Sequence, residues 1–316
     1  MYFMVMQGKG LIIKSAGSTY TVRTSGSDKI ECKLVGKYRL EELRSTNPVV
    51  VGDLVEFTLE NGEQIGRINN VAARKNYIIR KSTNLSKSHQ IIASNMDLLM
   101  LMVTASHPVT YPEFIDRYLV SAEAYNIPAV LLINKIDLYG KKEKKTLEEW
   151  KDIYETIGYP CIDCSVKENT NMEGIMNLLK DKVTLIAGNS GVGKSTLINR
   201  IEPELQLKTN EISEYHKSGK HTTTFAEMFE LSQGGYVIDT PGIRGFGITD
   251  MEDEPLFHYF PEIFKASAHC KYNNCNHVNE PDCAVIQSIE SGQISASRYN
   301  SYLKLFEEQK NTSKYR

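Results

Sequence analysis

An apolar run, Val183-Thr184-Leu185-Ile186-Ala187, ends in Gly188-Asn189-Ser190-Gly191-Val192-Gly193-Lys194-Ser195 and passes into the helical pattern Thr196-Leu197-Ile198-Asn199-Arg200. Strand, glycine-rich loop, Lys-Ser and helix, in that order, form the phosphate-binding loop of an α/β nucleotide-binding domain. Glycines let backbone N–H groups curl around phosphates, and the helix N-terminus favours negative charge. Lys194 is expected to reach the β- and γ-phosphates and Ser195 to ligate Mg²⁺. Residues Gly188 to Thr196 are therefore the expected nucleotide contacts. A bare match arises by chance about once in a hundred chains of this length, and the strand and helix flanks lower that further.

The chain around this loop alternates strand and helix patterns. Asp97–Val103 reads as a buried strand, Pro112–Tyr125 as a helix, and Pro128–Ile133 as a second buried strand. Lys144–Ile157 follows as a helix closed by Gly158, then a short strand Cys161–Cys164 and a helix Met172–Leu179. Such alternation implies a doubly wound parallel sheet. Residues 1–75 differ. They hold about five short strands, with Gly8-Lys9-Gly10, Gly17-Ser18 and Asn61-Gly62 as turn punctuation, and predict a small β-barrel of the OB-fold type. Eleven basic against eight acidic residues there suit a nucleic-acid surface and an ordinary solvated one equally. Residues 76–95, rich in Ser, Asn and Lys, read as a linker. The expected divisions are 1–75, 76–95, 96–247 and 248–316.

The base is read elsewhere. The strand at Pro128 ends in Asn134-Lys135-Ile136-Asp137. A carboxylate at Asp137 accepts two hydrogen bonds from the N1–H and N2–H₂ edge of guanine, whereas adenine would leave it unpaired. Asn134 and Lys135 are expected to tie this loop to the phosphate loop. Cys164-Ser165-Val166-Lys167 ends the next strand and resembles the Ser-Ala-Lys base loop of GTPases, which places Ser165 and Val166 beside the guanine O6. After the phosphate loop, Asp239-Thr240-Pro241-Gly242 closes the strand Tyr236-Val237-Ile238. Asp239 is expected to hold Mg²⁺ through water, and the Gly242 N–H to meet the γ-phosphate. Between them, Ser218-Gly219-Lys220-His221-Thr222-Thr223-Thr224 suits a switch I in which one threonine, taken as Thr223, reaches Mg²⁺. GTPases usually present the phosphate loop first and Asn-Lys-x-Asp later. This chain reverses them, so the domain is circularly permuted. Ile243 stands where Ras-like proteins carry the water-orienting glutamine, and an isoleucine cannot hydrogen-bond water. His221 is the expected catalytic group in its place.

Beyond Gly242 the chain carries Cys270, Cys275, His277 and Cys283. Three thiolates and an imidazole this close in sequence predict a closed, structural zinc site, with no open position for catalysis. Cys161 and Cys164 read as core residues facing opposite sides of a strand. Six cysteines among 316 residues are too few for a disulfide scaffold and favour a reducing cytoplasm. No apolar run nears the roughly 18 residues of a membrane span, and Met1 to Met6 lacks a basic leader, so neither membrane nor secretion is expected. Residues 295–316 read as a helix ending in basic residues.

Taken together, these motifs resemble one family along nearly the whole chain, the RsgA (YjeQ/YloQ-type) GTPases. The resemblance rests on Asn134-Lys135-Ile136-Asp137 ahead of Gly188–Thr196, on Gly219-Lys220-His221-Thr222-Thr223-Thr224, on Asp239-Thr240-Pro241-Gly242, and on Cys270, Cys275, His277 and Cys283. It implies an OB-fold barrel, a circularly permuted GTPase domain and a mostly helical zinc domain. It further implies a monomeric late factor of 30S subunit assembly that binds 16S rRNA and hydrolyses GTP slowly until the subunit stimulates it, with His221 at the family's catalytic position. The family usually has Arg before that histidine, where this chain has Lys220; the charge is kept and the planar fork is not. The competing class is a non-ribosomal GTP-dependent switch whose barrel and zinc domain bind proteins. A metabolic NTPase or kinase is disfavoured by the guanine-reading Asp137.

Overall fold

A computed structural model describes residues 5–26, 28–35, 48–60, 62–80, 90–207, 226–239 and 254–313. Its first five strands are β1 (Val5–Ala16), β2 (Thr19–Thr24), β3 (Lys29–Leu34), β4 (Leu54–Glu60) and β5 (Ile65–Val71). They pair in the order β1-β2-β3-β5-β4, and β4 returns to β1. That closure leaves no open edge within the barrel and is the OB-fold arrangement. Alternate residues point inward, so Ile12, Tyr20, Val22, Cys32, Val55, Phe57 and Ile68 make its core. Gly8 and Gly10 do not mark a turn as the sequence predicts; they lie within β1. That strand pairs with β4 over Val5–Leu11 and with β2 from Gly10 onward. At the crossover a Cβ on Gly10 would stand 2.4 Å from Val22 Cγ1. Glycine is needed there for close strand approach.

Residues 76–95, expected as a linker, carry two strands, β6 (Tyr77–Arg80) and β7 (Gln90–Ser94), paired antiparallel. Val51 bridges to Ala93, and the segment is pinned to the barrel by a buried carboxylate. Asp53, fully buried, accepts from Arg74 Nε (2.7 Å) and Nη2 (2.7 Å), from Ser94 Oγ (2.6 Å) and from the Val50 N–H (2.8 Å). With its charge paired and its oxygens hydrogen-bonded, this carboxylate meets the conditions for burial.

The central sheet contains β8 (Leu98–Val103), β9 (Ala129–Ile133), β10 (Cys161–Asp163), β11 (Val183–Ala187), β12 (Glu227–Glu230) and β13 (Tyr236–Asp239). Their order is β10-β9-β8-β11-β13-β12, parallel except for the edge strand β12. The two faces follow the period of two. Leu99, Leu101 and Val103 meet α1 (Pro112–Ala124) and α2 (Lys141–Ile157) on one side. Leu98, Met100 and Met102 meet α3 (Met172–Leu179) and α4 (Lys194–Ile201) on the other. Gly158 takes φ +114 as the C-cap of α2, which glycine adopts without a Cβ penalty. Cys161 packs on the first face and Cys164 on the second, and burial pushes both thiols up to about 12, which keeps them protonated and unreactive.

The last part is helical: α5 (Pro261–Ser267), α6 (Ala284–Glu290) and α7 (Ala296–Ser313). Its core of Leu256, Phe260, Ile263, Val285, Tyr302 and Leu305 includes Val120 from α1. Beside that contact, Arg298 of α7 and Asp116 of α1 are both fully buried, with Nη1 to Oδ1 at 2.8 Å. Glu262 holds the guanidinium from α5 at 2.7 Å, Tyr154 of α2 donates to Asp116 at 2.9 Å, and the Phe260 ring lies 4.6 Å from the guanidinium carbon. Four helices thus share one buried polar knot. Removing one member strands the other charge in a dry interior, at a cost of about 3–5 kcal/mol. Arg298→Ala is therefore expected to lower the unfolding free energy by about that amount, read as a shift of the urea midpoint; a loss under about 1 kcal/mol would contradict the burial assigned to the pair.

Candidate nucleotide site and metal centre

The carboxyl ends of β11, β13 and β9 converge, as sites in open α/β sheets do. The loop after β11 takes φ +144 at Gly188, +81 at Gly191 and +111 at Gly193, positive values that favour glycine. Two of these glycines are also demanded by packing. A Cβ would stand 2.2 Å from Met102 O at Gly188, and 2.6 Å from Asn134 Nδ2 at Gly193. Lys194 opens α4 and donates to the carbonyls of Gly188 (2.8 Å) and Asn189 (3.0 Å). Burial pulls its ammonium pKa down, and the Asp239 carboxylate at the end of β13 pulls it back up. Ser195 is buried beside it, while Ser190 and Thr196 are exposed.

Asn134 is the hub. Its Nδ2 donates to Val192 O in the phosphate loop (2.8 Å), and its Oδ1 accepts from the Val166 N–H (3.1 Å). One carboxamide therefore joins the loops after β9, β10 and β11. Lys135, at φ +66, donates from Nζ to Gly191 O (2.7 Å) and His107 O (2.6 Å). Both residues make the tie to the phosphate loop that the sequence predicts. Asp137 is exposed, and its Oδ1 accepts from Ser165 Oγ (2.6 Å). Ser165 Oγ in turn accepts from the Glu168 N–H (3.1 Å). The carboxylate is thus aimed by the neighbouring loop.

The sequence reading missed two contributors. Tyr139 donates to Asn134 O (2.9 Å) and accepts from the Ala105 N–H (2.8 Å). The segment following β8, through His107, meets Lys135 and so borders the phosphate loop. Neither carries a motif; both act through backbone groups that only the folded chain brings together. His221, Thr223 and Gly242, with Lys220 and Ile243, lie outside the described residues.

Cys270, Cys275, His277 and Cys283 are brought together, their ligand atoms all within 4.8 Å of one another. Sγ–Sγ separations are 3.6 Å (Cys275–Cys283) and 3.9 Å (Cys270–Cys283), and His277 Nδ1 stands 3.6 Å and 3.5 Å from Cys270 and Cys283. A tetrahedron with Zn–S near 2.3 Å and Zn–N near 2.0 Å has edges of about 3.8 Å and about 3.5 Å. The donor set and its edges fit such an ion. Burial pulls the His277 pKa down, which leaves the neutral ring that ligation needs. The loop is held from both sides. Tyr299 and Tyr302 of α7 donate to the carbonyls of His277 (2.8 Å) and Asn276 (2.6 Å). Glu280 accepts from the N–H groups of Asn276, Val278 and Asn279, which outweigh its burial and hold its carboxyl down at about 2.

Comparison with known proteins agrees with this architecture. The RsgA N-terminal domain family matches residues 9–68, and the RsgA GTPase family matches residues 71–249. A Bacteroides thetaiotaomicron protein named small ribosomal subunit biogenesis GTPase RsgA 2 is 54% identical over 308 residues, covering 98% of this chain and 99% of its own. A Flavobacterium psychrophilum relative named small ribosomal subunit biogenesis GTPase RsgA is 50% identical over 300 residues, covering 94% and 92%. The crystal structure of YjeQ from Thermotoga maritima superposes with a TM-score of 0.79 at 36% identity, covering 96% of this chain and 99% of that one. YloQ, described as a circularly permuted GTPase, gives 0.75 at 30% identity, covering 97% and 96%. Family match, full-length identity and the permuted order of Asn134–Asp137 ahead of Gly188–Ser195 converge: this chain belongs to the RsgA family of circularly permuted GTPases and is a GTP hydrolase.

Proposed function

We propose that this chain is a cytoplasmic, monomeric factor of small ribosomal subunit biogenesis that binds the 30S subunit through 16S rRNA and hydrolyses GTP when the subunit stimulates it. The observation that carries this reading is the 54% identity, end to end, to a protein named for that process. Among the described residues no helix is long and apolar enough to cross a membrane.

In this reading Asp137, aimed by Ser165, takes the guanine edge, and the Ser165–Val166 loop, held to Asn134 through the Val166 N–H, borders the same base. Asn134 and Lys135 hold the base loop against the phosphate loop. Gly188, Asn189, Ser190, Gly191, Val192 and Gly193 wrap the phosphates, with Lys194, Ser195 and Thr196 at the helix start. Lys194 would exchange its bonds to the Gly188 and Asn189 carbonyls for phosphate oxygens, a stronger charge-assisted partner. Ser195, Thr223 and Asp239 would hold Mg²⁺, which neutralises developing phosphate charge. Gly242 would meet the γ-phosphate. His221 takes the role that Ile243 cannot, orienting water once the subunit places it. Cys270, Cys275, His277 and Cys283 hold one structural Zn²⁺ with no part in hydrolysis.

The metal, the base contact and the catalytic group each have a direct test. One equivalent of zinc is expected per purified chain by elemental analysis, and Cys283→Ser should lose it together with the docking of α7; a chain that folds fully with no bound metal would remove zinc from the account. Asp137→Asn should shift preference from GTP towards xanthosine triphosphate by about 10²-fold or more, measured as relative binding affinity; an unchanged preference would overturn the base assignment. Purified 30S subunits should raise GTP turnover of the wild-type chain. His221→Ala should keep GTP binding and lose most of that gain, about 10²-fold. Absence of any 30S stimulation, or of salt-dependent co-sedimentation with the subunit in GTP analogue, would favour a non-ribosomal switch.

A further inference from the structure

The edge strand β12 has four residues and one full partner, β13. Such a strand is weakly held by its own ladder. Its outer edge faces the barrel, where β1 meets it at a single register pair, Lys14 opposite Glu227. Side chains supply the rest. Lys14 Nζ reaches Glu227 Oε1 at 3.0 Å, but both groups are about half exposed and the pair is screened. Arg23 of β2 is different. Its side chain is only 12% exposed, and it forms a fork on Glu230, with Nε at 3.1 Å and Nη2 at 2.7 Å. Glu230 is itself 44% exposed, so the pair is only half desolvated, but two parallel bonds from one guanidinium fix geometry as a single lysine contact does not. Beneath these pairs, Ile13 of β1 shares its apolar core with Ala226 and Met228.

The strand so held is the one alongside Asp239. In the antiparallel β12–β13 ladder, Glu227 lies opposite Asp239 and Glu230 opposite Tyr236. The ladder thus ties the Glu227 end of β12 to the carboxyl end of β13, where Asp239 acts electrostatically on Lys194. In sequence, β12 begins at Glu227, with only Phe225 and Ala226 between it and the Gly219–Thr224 motif. The barrel is therefore attached to the strand that bears on the phosphate end of the sheet.

We propose that Arg23 and Glu230 are positioning residues for GTP hydrolysis, through which a load on the barrel reaches the phosphate end of the sheet. The inference rests on the ribosomal reading above, since the 30S subunit supplies the load. It is tested with the full-length chain by steady-state GTP turnover at saturating 30S. Arg23→Glu and Glu230→Arg, each alone, are expected to lower the stimulated kcat about tenfold, while KM for GTP and co-sedimentation with 30S stay within about twofold. The exchange of both charges should restore kcat to within about threefold of wild type. Arg23→Gln, which removes the charge without reversing it, guards against misfolding and should show the same split in smaller degree. A stimulated wild type whose single variants are equally stimulated overturns this inference alone. So does a loss that the double exchange fails to rescue and that tracks a lowered thermal midpoint, because the pair would then be merely structural. A wild type that 30S leaves unstimulated overturns both readings.

Discussion

A hydrogen bond of 2.8 Å from the Asn134 carboxamide to the Val192 carbonyl joins two loops 58 residues apart. The carboxyl edge of the sheet is organised around it. The same side chain accepts from Val166, so a third loop is fixed by its other end. Asn134 is almost fully buried, and a buried amide left half-bonded costs about 1–3 kcal/mol. Its satisfaction therefore demands all three loops at once. Gly193 is glycine partly for this reason, since a Cβ there would collide with the Asn134 amide. The residues assigned to base recognition and those assigned to phosphate recognition are thus one hydrogen-bonded unit, although the chain supplies them in permuted order.

The barrel and the C-terminal helical domain are fastened to this unit by different physics. The Arg298–Asp116 knot is dry, shared by four helices and costly to break. Replacing a whole buried ion pair by hydrophobic residues is often neutral or stabilising, whereas removing one partner alone is costly. The barrel is held at one end by the buried Asp53–Arg74 pair and at the other by the partly solvated Arg23–Glu230 fork. The first is buried and bonded on both oxygens. The second is weaker, and it lies where a barrel motion would be felt by the GTPase sheet.

Much of this was legible in the sequence because it is local. Apolar periodicity placed the central strands and helices within a few residues, and the left-handed Gly158 ended α2 where predicted. The Cys270–Cys283 cluster was legible because metal chemistry restricts both residue type and proximity. What escaped depends on contacts between residues far apart in sequence. Gly8 and Gly10 read as a turn because glycine signals one, yet they serve a strand that changes partners. The strands β6 and β7 were hidden because polar residues dominate the stretch between them. Asp116 sits among apolar residues of α1 as an ordinary helix-face acid would, and only Arg298, 182 residues later, explains its burial. Tyr139 and His107 contribute backbone-directed bonds, for which sequence pattern has no signature.

Permutation gives these attachments their direction. Here the chain reaches the sheet from a barrel that covers β12, and leaves it from β13 into a domain that returns to α1. Both outer domains therefore grip elements one step from the phosphate loop. β12 is one strand removed through β13, and α1 is one loop removed through His107 and Lys135. Lys135 bonds both Gly191 and His107, so the phosphate loop and the segment leading into α1 share one cation. The two grips are unequal: the knot is dry and the fork is solvated.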